Sequence, residues 1–182
     1  GSCVDNGLCL FVSDAEAALF RERSGLGADK VMPLGNGIDT IFYDPAVSTG
    51  PLDRSFPGPL VMFTGQMDYR PNVEAVVDFA RHAWPAVRAE HPDATFAIVG
   101  RNPSPAVQGL GEQPGILVTG AVDDVRSWLD AADVVVAPLR IARGIQNKVL
   151  EAMAMAKPVV ASIAAAEGIR ADTGIHLHVE AN

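Results

Sequence analysis

Residues 134–161, VVVAPLRIARGIQNKVLEAMAMAKPVVA, decide the fold of this chain. The stretch opens on the apolar run 134–137 and ends on a second apolar run, 159–161. Between them, residues 145–156 place apolar side chains three and four positions apart, as in a helix that covers one face of a sheet. Apolar runs without alternation are typical of strands buried on both faces, as in a parallel sheet. The stretch therefore predicts a strand–helix–strand unit with parallel strands.

The same order of elements extends over the rest of the chain. Further apolar runs predict strands at 8–12, 31–34, 60–63, 95–99 and 116–118, with a strand-like run at 175–179. Periodicity of about 3.6 residues predicts further helices over 14–23, 72–90 and 125–132. Ser13 and Glu16 have capping-box spacing at the first of these helices, and Asp124 is a candidate N-cap for the third. This alternation predicts an α/β fold with a Rossmann-like, doubly wound parallel sheet.

The composition limits the classes of function. The chain has 182 residues, of which 48% are hydrophobic and 20% charged, so we expect a folded domain rather than a disordered segment. The net charge of −8 repels polyanions and argues against nucleic acid as a partner. No apolar run approaches the roughly 20 residues of a membrane-spanning helix. Cys3 and Cys9 are predicted to be reduced thiols of a cytosolic protein, and no zinc-type spacing of Cys or His occurs.

Candidate binding residues follow the strands, because an open parallel sheet binds ligands at the carboxyl ends of its strands. Glycine follows three successive predicted strands, at Gly65, Gly100 and Gly120, and the polar residues Gln66 and Arg101 come directly after the first two glycines. This pattern is consistent with a ligand-binding rim, but taken alone it fits slightly better the structural alternative, that glycine ends the parallel strands of many α/β domains. Neither GxGxxG nor GxxxxGK[ST] occurs, which argues against a classical dinucleotide site and against a P-loop.

The loop and helix after residue 137 contain further charged candidates. Arg140 and Arg143 precede the helix, so their charges add to the positive end of its dipole and can hold a diphosphate without a metal ion. Lys148 and Glu151 lie three residues apart on one helix face. Glu151 is a candidate acceptor for the two hydroxyls of a ribose. The spacing alone favours an ordinary surface pair of opposite charges, worth about 0.5 kcal/mol, over a ligand site.

Five segments, in unbroken order over nearly the whole chain, resemble the retaining GT-B glycosyltransferases of group 1. These segments are VSDAEAALF (12–20), NGID (36–39), FTGQMDYRPNVEAV (63–76), VTGAVDDVRSWLDAADVVVAPLRIARGIQNK (118–148) and GIQNKVLEAMAMAKPVVAS (144–162). The third and fourth are similar to a subgroup associated with exosortase and exopolysaccharide gene systems. The last resembles the donor-site helix of the family.

The resemblance implies a domain organisation. Residues 1–34 would be the end of an acceptor domain and the crossover from it. Residues 35–59 would be a linker loop, as their Gly, Pro, Asp and Ser content also suggests. Residues 60–182 would be the nucleotide-sugar donor domain, incomplete at its C-terminal end. The chain would then be one half of a GT-B fold, truncated at both ends.

The resemblance also implies an activity and its donor site. The family transfers a sugar from a nucleotide diphosphate sugar to an acceptor with retention of configuration, without a metal or other cofactor. The position of Glu151 holds the donor ribose, and that of Lys148 lies near the diphosphate. The positions of the remaining site residues line the phosphate and base parts of the cleft or belong to the donor-site helix: Gly65, Gly120, Val122, Gly144 and Asn147.

One residue departs from the family pattern. Arg143 stands eight positions before Glu151, where many relatives have a glutamate that contacts the donor sugar. Arg143 either contacts a phosphate instead, or the recognition of the sugar differs. The sequence leaves the identity of that sugar open.

The resemblance also implies a part of the enzyme that lies outside this chain. We expect a saccharide or lipid-linked acceptor to bind the missing N-terminal domain, so that this chain alone binds nucleotide weakly and transfers no sugar. The whole enzyme would be cytoplasmic, with a possible peripheral contact to the inner membrane face. Two alternatives remain: a nucleotide-sugar epimerase of the same fold, and a non-catalytic module that binds a nucleotide or a partner.

Overall fold

The computed structural model describes residues 7–47, 50, 52, 55–142 and 144–181. Cys3 and Arg143 therefore lie outside the described residues, whereas Cys9 is described and buried. None of the helices within these ranges is long and apolar enough to cross a membrane.

The N-terminal segment forms a small two-stranded parallel sheet. Strands β1 (Cys9–Phe11) and β2 (Val31–Pro33) are joined by helix α1 (Asp14–Ser24). The cap of α1 follows the prediction, because the Ser13 hydroxyl accepts the N–H of Glu16 at 3.2 Å. Cys9, Ala17 and Val31 form a separate small core between these elements.

Six parallel strands form the main sheet. They are β3 (Leu60–Thr64), β4 (Thr95–Val99), β5 (Ile116–Gly120), β6 (Val134–Ala137), β7 (Val159–Ser162) and β8 (His178–Glu180). Their order across the sheet is β5-β4-β3-β6-β7-β8. The chain moves outward in one direction from β3 and in the other from β6, so its direction reverses between these two neighbours. The predicted α/β fold with a doubly wound parallel sheet is confirmed.

The helices that connect these strands are α2 (Arg70–Asp78), α3 (Trp84–Glu90), α4 (Pro105–Gln108), α5 (Val125–Ala131), α6 (Asn147–Ala154) and α7 (Ile163–Ala166). The N-cap prediction for α5 is confirmed, since the Asp124 carboxylate accepts the N–H of Arg126 at 2.9 Å. Helix α6 begins two residues after the predicted position, because Gln146 has an extended backbone. The short α4 and α7 were not predicted.

The helix predicted over 72–90 is present, since residues 70–90 are helical throughout, but it is not α-helical over its whole length. A π-helical segment, Phe79–Ala83, separates α2 from α3, and the N–H of Trp84 bonds to the carbonyl of Phe79, five residues back. Pro85 follows directly and has no N–H for the carbonyl four residues before it, which disturbs the regular α-helical pattern. Trp84 is buried and packs in the core against Phe96.

Two glycines bring the loops after β3 and β4 together. Gly65 and Gly100 both have positive φ angles, of 158° and 153°. A Cβ on Gly100 would overlap the backbone carbonyl of Gly65. Only glycine at position 100 therefore allows the two loops to approach this closely at the carboxyl edge of the sheet.

The segment predicted as a linker, 35–59, forms no helix or strand in its described part, but it is attached to the main sheet. The Asp39 carboxylate accepts the backbone N–H groups of Ile41 and Phe42 and so closes a turn. Arg126 donates to the carbonyl of Phe42 at 3.1 Å and stacks on its ring at 3.9 Å from the centroid. These contacts hold the turn against the N-terminal end of α5.

Candidate functional site

The candidate site lies at the carboxyl ends of β3 and β6, where the order of the strands reverses. A doubly wound sheet opens a crevice at this point, because the connections from the two strands leave toward opposite faces. The loop at Gly65 and Gln66 follows β3, and α6 follows β6 with its N-terminal end at the same edge. Backbone N–H groups at a helix N-terminus favour a negatively charged ligand.

Lys148 lies buried in this crevice, with 9% of its surface exposed. Its Nζ donates to the Asn72 side-chain oxygen at 2.6 Å and lies 4.1 Å from the centroid of the Phe63 ring. A Cβ at Gly65 would come within 3.2 Å of the same nitrogen. The residue is therefore not the ordinary surface partner of Glu151 that its spacing allowed.

Burial also determines the charge of this lysine. Removal from water lowers the pKa of Lys148 to about 7, and the nearby Glu151 carboxylate opposes this shift only in part. A protonated lysine has three N–H donors, of which the described residues accept one, at Asn72. The crevice thus holds an amine that is about half-protonated at pH 7 and that has donors left for a ligand.

Asn72 connects Lys148 to the loop after β3. It is the third residue of α2 and only 6% exposed. Its amide nitrogen donates to the backbone carbonyl of Gln66 at 2.9 Å, while its oxygen accepts from Lys148. One side chain therefore fixes both a loop of β3 and a residue of α6.

Glu151 lies one helical turn beyond Lys148 and is half-buried. Burial raises the pKa of its carboxyl group, while the Tyr43 hydroxyl and Lys148 oppose that rise. Tyr43 belongs to the segment 35–59, and burial together with the Glu151 carboxylate raises the pKa of its phenol to about 12. Tyr43 is therefore a neutral hydrogen-bond donor toward Glu151.

The other rim residues predicted from the sequence follow β4 and β5. The exposed Arg101 donates to the side chain of Gln66 at 3.1 Å. The N–H of Gly100 donates to the carbonyl of Gly120 at 3.1 Å. Val122 is partly buried and packs against the main core. The structure thus joins the loops after β3, β4 and β5 in one continuous rim.

Arg140 has a different environment from the one expected for it. Its Nε pairs with the Asp78 carboxylate at 2.8 Å. It lines a cavity of about 300 Å³ together with Val136, Val160 and Glu180, and Lys148 is not among the lining residues. A contact of Arg140 with a diphosphate would require this ion pair to open. Arg143, the other predicted arginine, lies outside the described residues.

Gly144 and Asn147 lie where the N-terminal segment meets α6. Gly144 has a φ of 65°, and the exposed Asn147 accepts a hydrogen bond from Asn36 at 3.2 Å. A cavity of about 440 Å³ at this junction is lined by both parts of the chain, including Val12 and Ile145, but not by Lys148 or Glu151. Within the described residues, no group of three or more His, Cys, Asp or Glu side chains is arranged to hold a metal ion.

Sequence reasoning missed Asn72, Phe63 and Tyr43. Asn72 was placed only at the start of a helix, and Phe63 only in a strand. Their contacts with Lys148 span 76 residues or more of sequence, which no local spacing reveals. The aromatic pair Phe42 and Tyr43 in a segment rich in turn residues is the one local signal that the segment packs against something.

Comparison with known proteins relates this geometry to one family. Residues 58–181 match the family described as Glycosyl transferases group 1. The chain is 32% identical over 154 residues to the phosphatidyl-myo-inositol mannosyltransferase of Propionibacterium freudenreichii subsp. shermanii. That alignment covers 83% of this chain and 37% of the mannosyltransferase, so the chain spans well under half of the length of this relative.

Solved structures of low sequence identity share the fold. A glycosyltransferase from Rickettsia africae ESF-5 has a TM-score of 0.74 at 18% identity, over 97% of this chain and 50% of that chain. Anabaena Alr3699/HepE, in complex with UDP-glucose, has a TM-score of 0.70 at 19% identity, over 98% of this chain and 50% of that chain. The six-stranded sheet with its flanking helices therefore matches domains of GT-B glycosyltransferases.

Proposed function

Because the chain belongs to the glycosyl transferases group 1 family, we propose that it binds the nucleoside diphosphate of a sugar donor in the crevice between β3 and β6. The observation that carries this proposal is Lys148, a buried amine with a single side-chain acceptor at the carboxyl edge of the sheet. A buried cationic group without a full set of partners is costly to the fold. An anionic ligand would supply the missing charge and acceptors.

The neighbouring residues suggest how such a donor would lie. The diphosphate would contact Lys148 and the N-terminal end of α6, where the helix dipole favours negative charge. Glu151, one turn further along α6, would accept the hydroxyls of the ribose. The base would then extend toward the rim that carries Gln66 and Arg101. This arrangement needs no metal ion, since Lys148 and the helix terminus supply the positive charge.

The whole protein would use this site in group transfer. It would pass the sugar to a saccharide or lipid-linked acceptor with retention of configuration, in the synthesis of an exopolysaccharide or glycoconjugate. The acceptor would bind a second domain, in the cytoplasm or at the inner membrane face. The chain alone would bind the donor but transfer no sugar, because one wall of a cleft does not orient two substrates. UDP is the first nucleotide to test, since HepE binds UDP-glucose.

A thermal-shift titration with UDP, GDP and ADP, with Glu151→Ala beside the wild type, tests this proposal. A ligand at 100 times its Kd that binds only the folded state adds about 2.7 kcal/mol to the free energy of unfolding. We expect one nucleotide to raise the Tm of the wild type and to have a much smaller effect on Glu151→Ala. Glu112→Ala is the matched control, because it removes an exposed carboxylate that precedes β5, at the opposite edge of the sheet.

Each outcome has a clear reading. A shift that is retained in Glu112→Ala and lost in Glu151→Ala supports the donor site and identifies the base. Equal shifts in all three proteins would place the nucleotide elsewhere on the molecule. If no nucleotide shifts the wild type at millimolar concentration, the proposed donor site is wrong for this chain.

A further inference from the structure

We propose that Asn72 is a positioning residue of the diphosphate subsite: it fixes Lys148 against Phe63 without supplying a charge, and Lys148 takes up a proton from solvent when the diphosphate binds. This inference rests on the proposed function, because the ligand is the diphosphate of the donor. It adds a residue that the sequence did not indicate and a proton that accompanies binding.

Three contacts fix the position of Lys148. Asn72 accepts from Nζ at 2.6 Å and is itself anchored by its bond to the Gln66 carbonyl at 2.9 Å. The ring of Phe63 lies 4.1 Å from the nitrogen, so that side of Lys148 offers no oxygen acceptor. Gly65 leaves the space next to Nζ open, since a Cβ there would be 3.2 Å away. The free donors of Lys148 therefore face the loop after β3 and the crevice.

The neutrality of Asn72 decides the charge of Lys148 before the ligand binds. From β3 the lysine faces Phe63, from α2 it faces Asn72, and neither carries a charge. Its one charged neighbour among the described residues is Glu151, on its own helix. Burial lowers the pKa of Lys148 to about 7, so above neutral pH most molecules hold an uncharged amine. A bound diphosphate supplies the missing negative charge, and the amine then becomes an ammonium ion.

Asn72→Asp and Asn72→Ala separate the roles of this side chain. Both variants lose the amide group that donates to Gln66, so they share any structural defect of the loop. Only the Asn72→Asp substitution adds a carboxylate next to Lys148, where an opposite charge raises a pKa by roughly 1–3 units. Gln113→Glu adds the same charge to an exposed position that precedes β5 and serves as the control for net charge.

The first measurement follows the lysines without ligand. The chain contains three lysines, Lys30, Lys148 and Lys157, so the Cε signals of a lysine-labelled sample are few enough to assign with Lys148→Met. We expect the Lys148 signal to titrate with a midpoint near pH 7 in the wild type and in Gln113→Glu. The midpoint should rise clearly in Asn72→Asp and should not rise in Asn72→Ala. An unchanged midpoint in Asn72→Asp would overturn the inference.

The second measurement counts protons on binding. Calorimetric titration with UDP at pH 8, in two buffers of different ionisation enthalpy, gives the number of protons taken up. The wild type should take up roughly 0.9 proton, because a group with a pKa of about 7 is roughly nine-tenths deprotonated at pH 8. Asn72→Asp should take up at most roughly 0.5 proton and bind at least about tenfold more weakly, because its carboxylate charges the lysine and repels the diphosphate. Asn72→Ala should keep the uptake at reduced affinity.

The two proposals fail in different ways. If neither UDP, GDP nor ADP binds the wild type, the donor site is wrong, and the lysine titration still decides whether Asn72 controls the charge of Lys148. If UDP binds without proton uptake, or if Asn72→Asp keeps the wild-type uptake, the role of Asn72 is wrong and the donor site stands. A purely structural role of Asn72 predicts equal losses in Asn72→Asp and Asn72→Ala.

Discussion

A rise in pH from 7 to 9 should stabilise the wild-type protein through Lys148. The pKa of this lysine is about 7 in the folded chain and 10.5 in the unfolded one, so the unfolded state binds more protons between these values. Stability increases with pH wherever the unfolded state holds more protons. The contribution of Lys148 to the free energy of unfolding therefore rises with pH over the whole window from about pH 7 to pH 10.5. Below pH 7 the full penalty for charging the buried amine applies.

The magnitude follows from the two pKa values. Between pH 7 and pH 9 the unfolded lysine stays almost fully protonated, while the folded lysine goes from half-protonated to almost uncharged. The difference in bound protons, integrated over these two pH units, is about 1.7, and at 1.36 kcal/mol per unit it adds about 2 kcal/mol to the free energy of unfolding. Since Lys148 is only 9% exposed, solvent screening takes little from this value.

Urea unfolding at pH 7 and pH 9, followed by tryptophan fluorescence, measures this difference. Trp84 is buried and Trp128 is partly buried, so both report on the loss of the core. Lys148→Met is the reference, because it keeps an unbranched apolar side chain of similar length and has no charge to titrate. Every other group that titrates in this range contributes to both proteins and cancels in the comparison.

The wild type should gain about 2 kcal/mol more than Lys148→Met between the two pH values. If the free energy of unfolding changes by the same amount in both proteins, within about 0.5 kcal/mol, then the pKa of Lys148 is not lowered in the folded protein and the electrostatic reasoning is refuted. A larger gain in Lys148→Met than in the wild type would mean that the sign is wrong as well.

Three further substitutions test the fold and the site. We expect the wild type to bind UDP roughly tenfold more tightly than 2′-deoxy-UDP, the value of one hydrogen bond to a carboxylate. Glu151→Gln should remove this preference, which calorimetry measures. A variant that keeps the preference would refute the ribose contact. Gly100→Ala should lower the free energy of unfolding by about 2–5 kcal/mol, because the new Cβ would overlap Gly65 and because φ at position 100 is positive. In the control Gly109→Ala the new Cβ meets nothing within 4 Å, so its free energy of unfolding in urea should be within about 1 kcal/mol of the wild-type value. Asp124→Ala should cost about 1 kcal/mol by removing the cap of α5, and an unchanged urea midpoint would contradict this.

The fold could be predicted from the sequence because its signals are local. Each strand is a short apolar run, and each long helix has its own periodicity, so the strand–helix alternation is visible without any knowledge of contacts. The order of the strands then follows from the general behaviour of doubly wound sheets. The π-helical segment at 79–83 escaped prediction because the apolar pattern continues across it, and Pro85 alone does not indicate which residues change their hydrogen bonding.

The site could be predicted only in part. Lys148 and Glu151 were identified from the family resemblance, but their spacing on one helix favoured a surface pair over a ligand site. What distinguishes the two cases is the burial of Lys148, which depends on Phe63 and Asn72 in other elements of the fold. Arg140 is the opposite case, a predicted ligand residue that the fold pairs with a carboxylate instead. Its ion pair with Asp78 cannot be seen in the sequence, and Arg140 lines a different cavity.

The burial of Lys148 has opposite consequences for the fold and for the site. At pH 7 the folded protein pays a penalty for a charge that no carboxylate contacts directly among its described ion pairs. A carboxylate at position 72 would relieve that penalty, since it could pair with the amine at hydrogen-bond distance. It would also neutralise the cation that an anionic donor needs. An uncharged asparagine keeps Lys148 fixed but leaves its charge without a counter-ion. The free energy of pairing that charge therefore remains available for binding an anionic ligand.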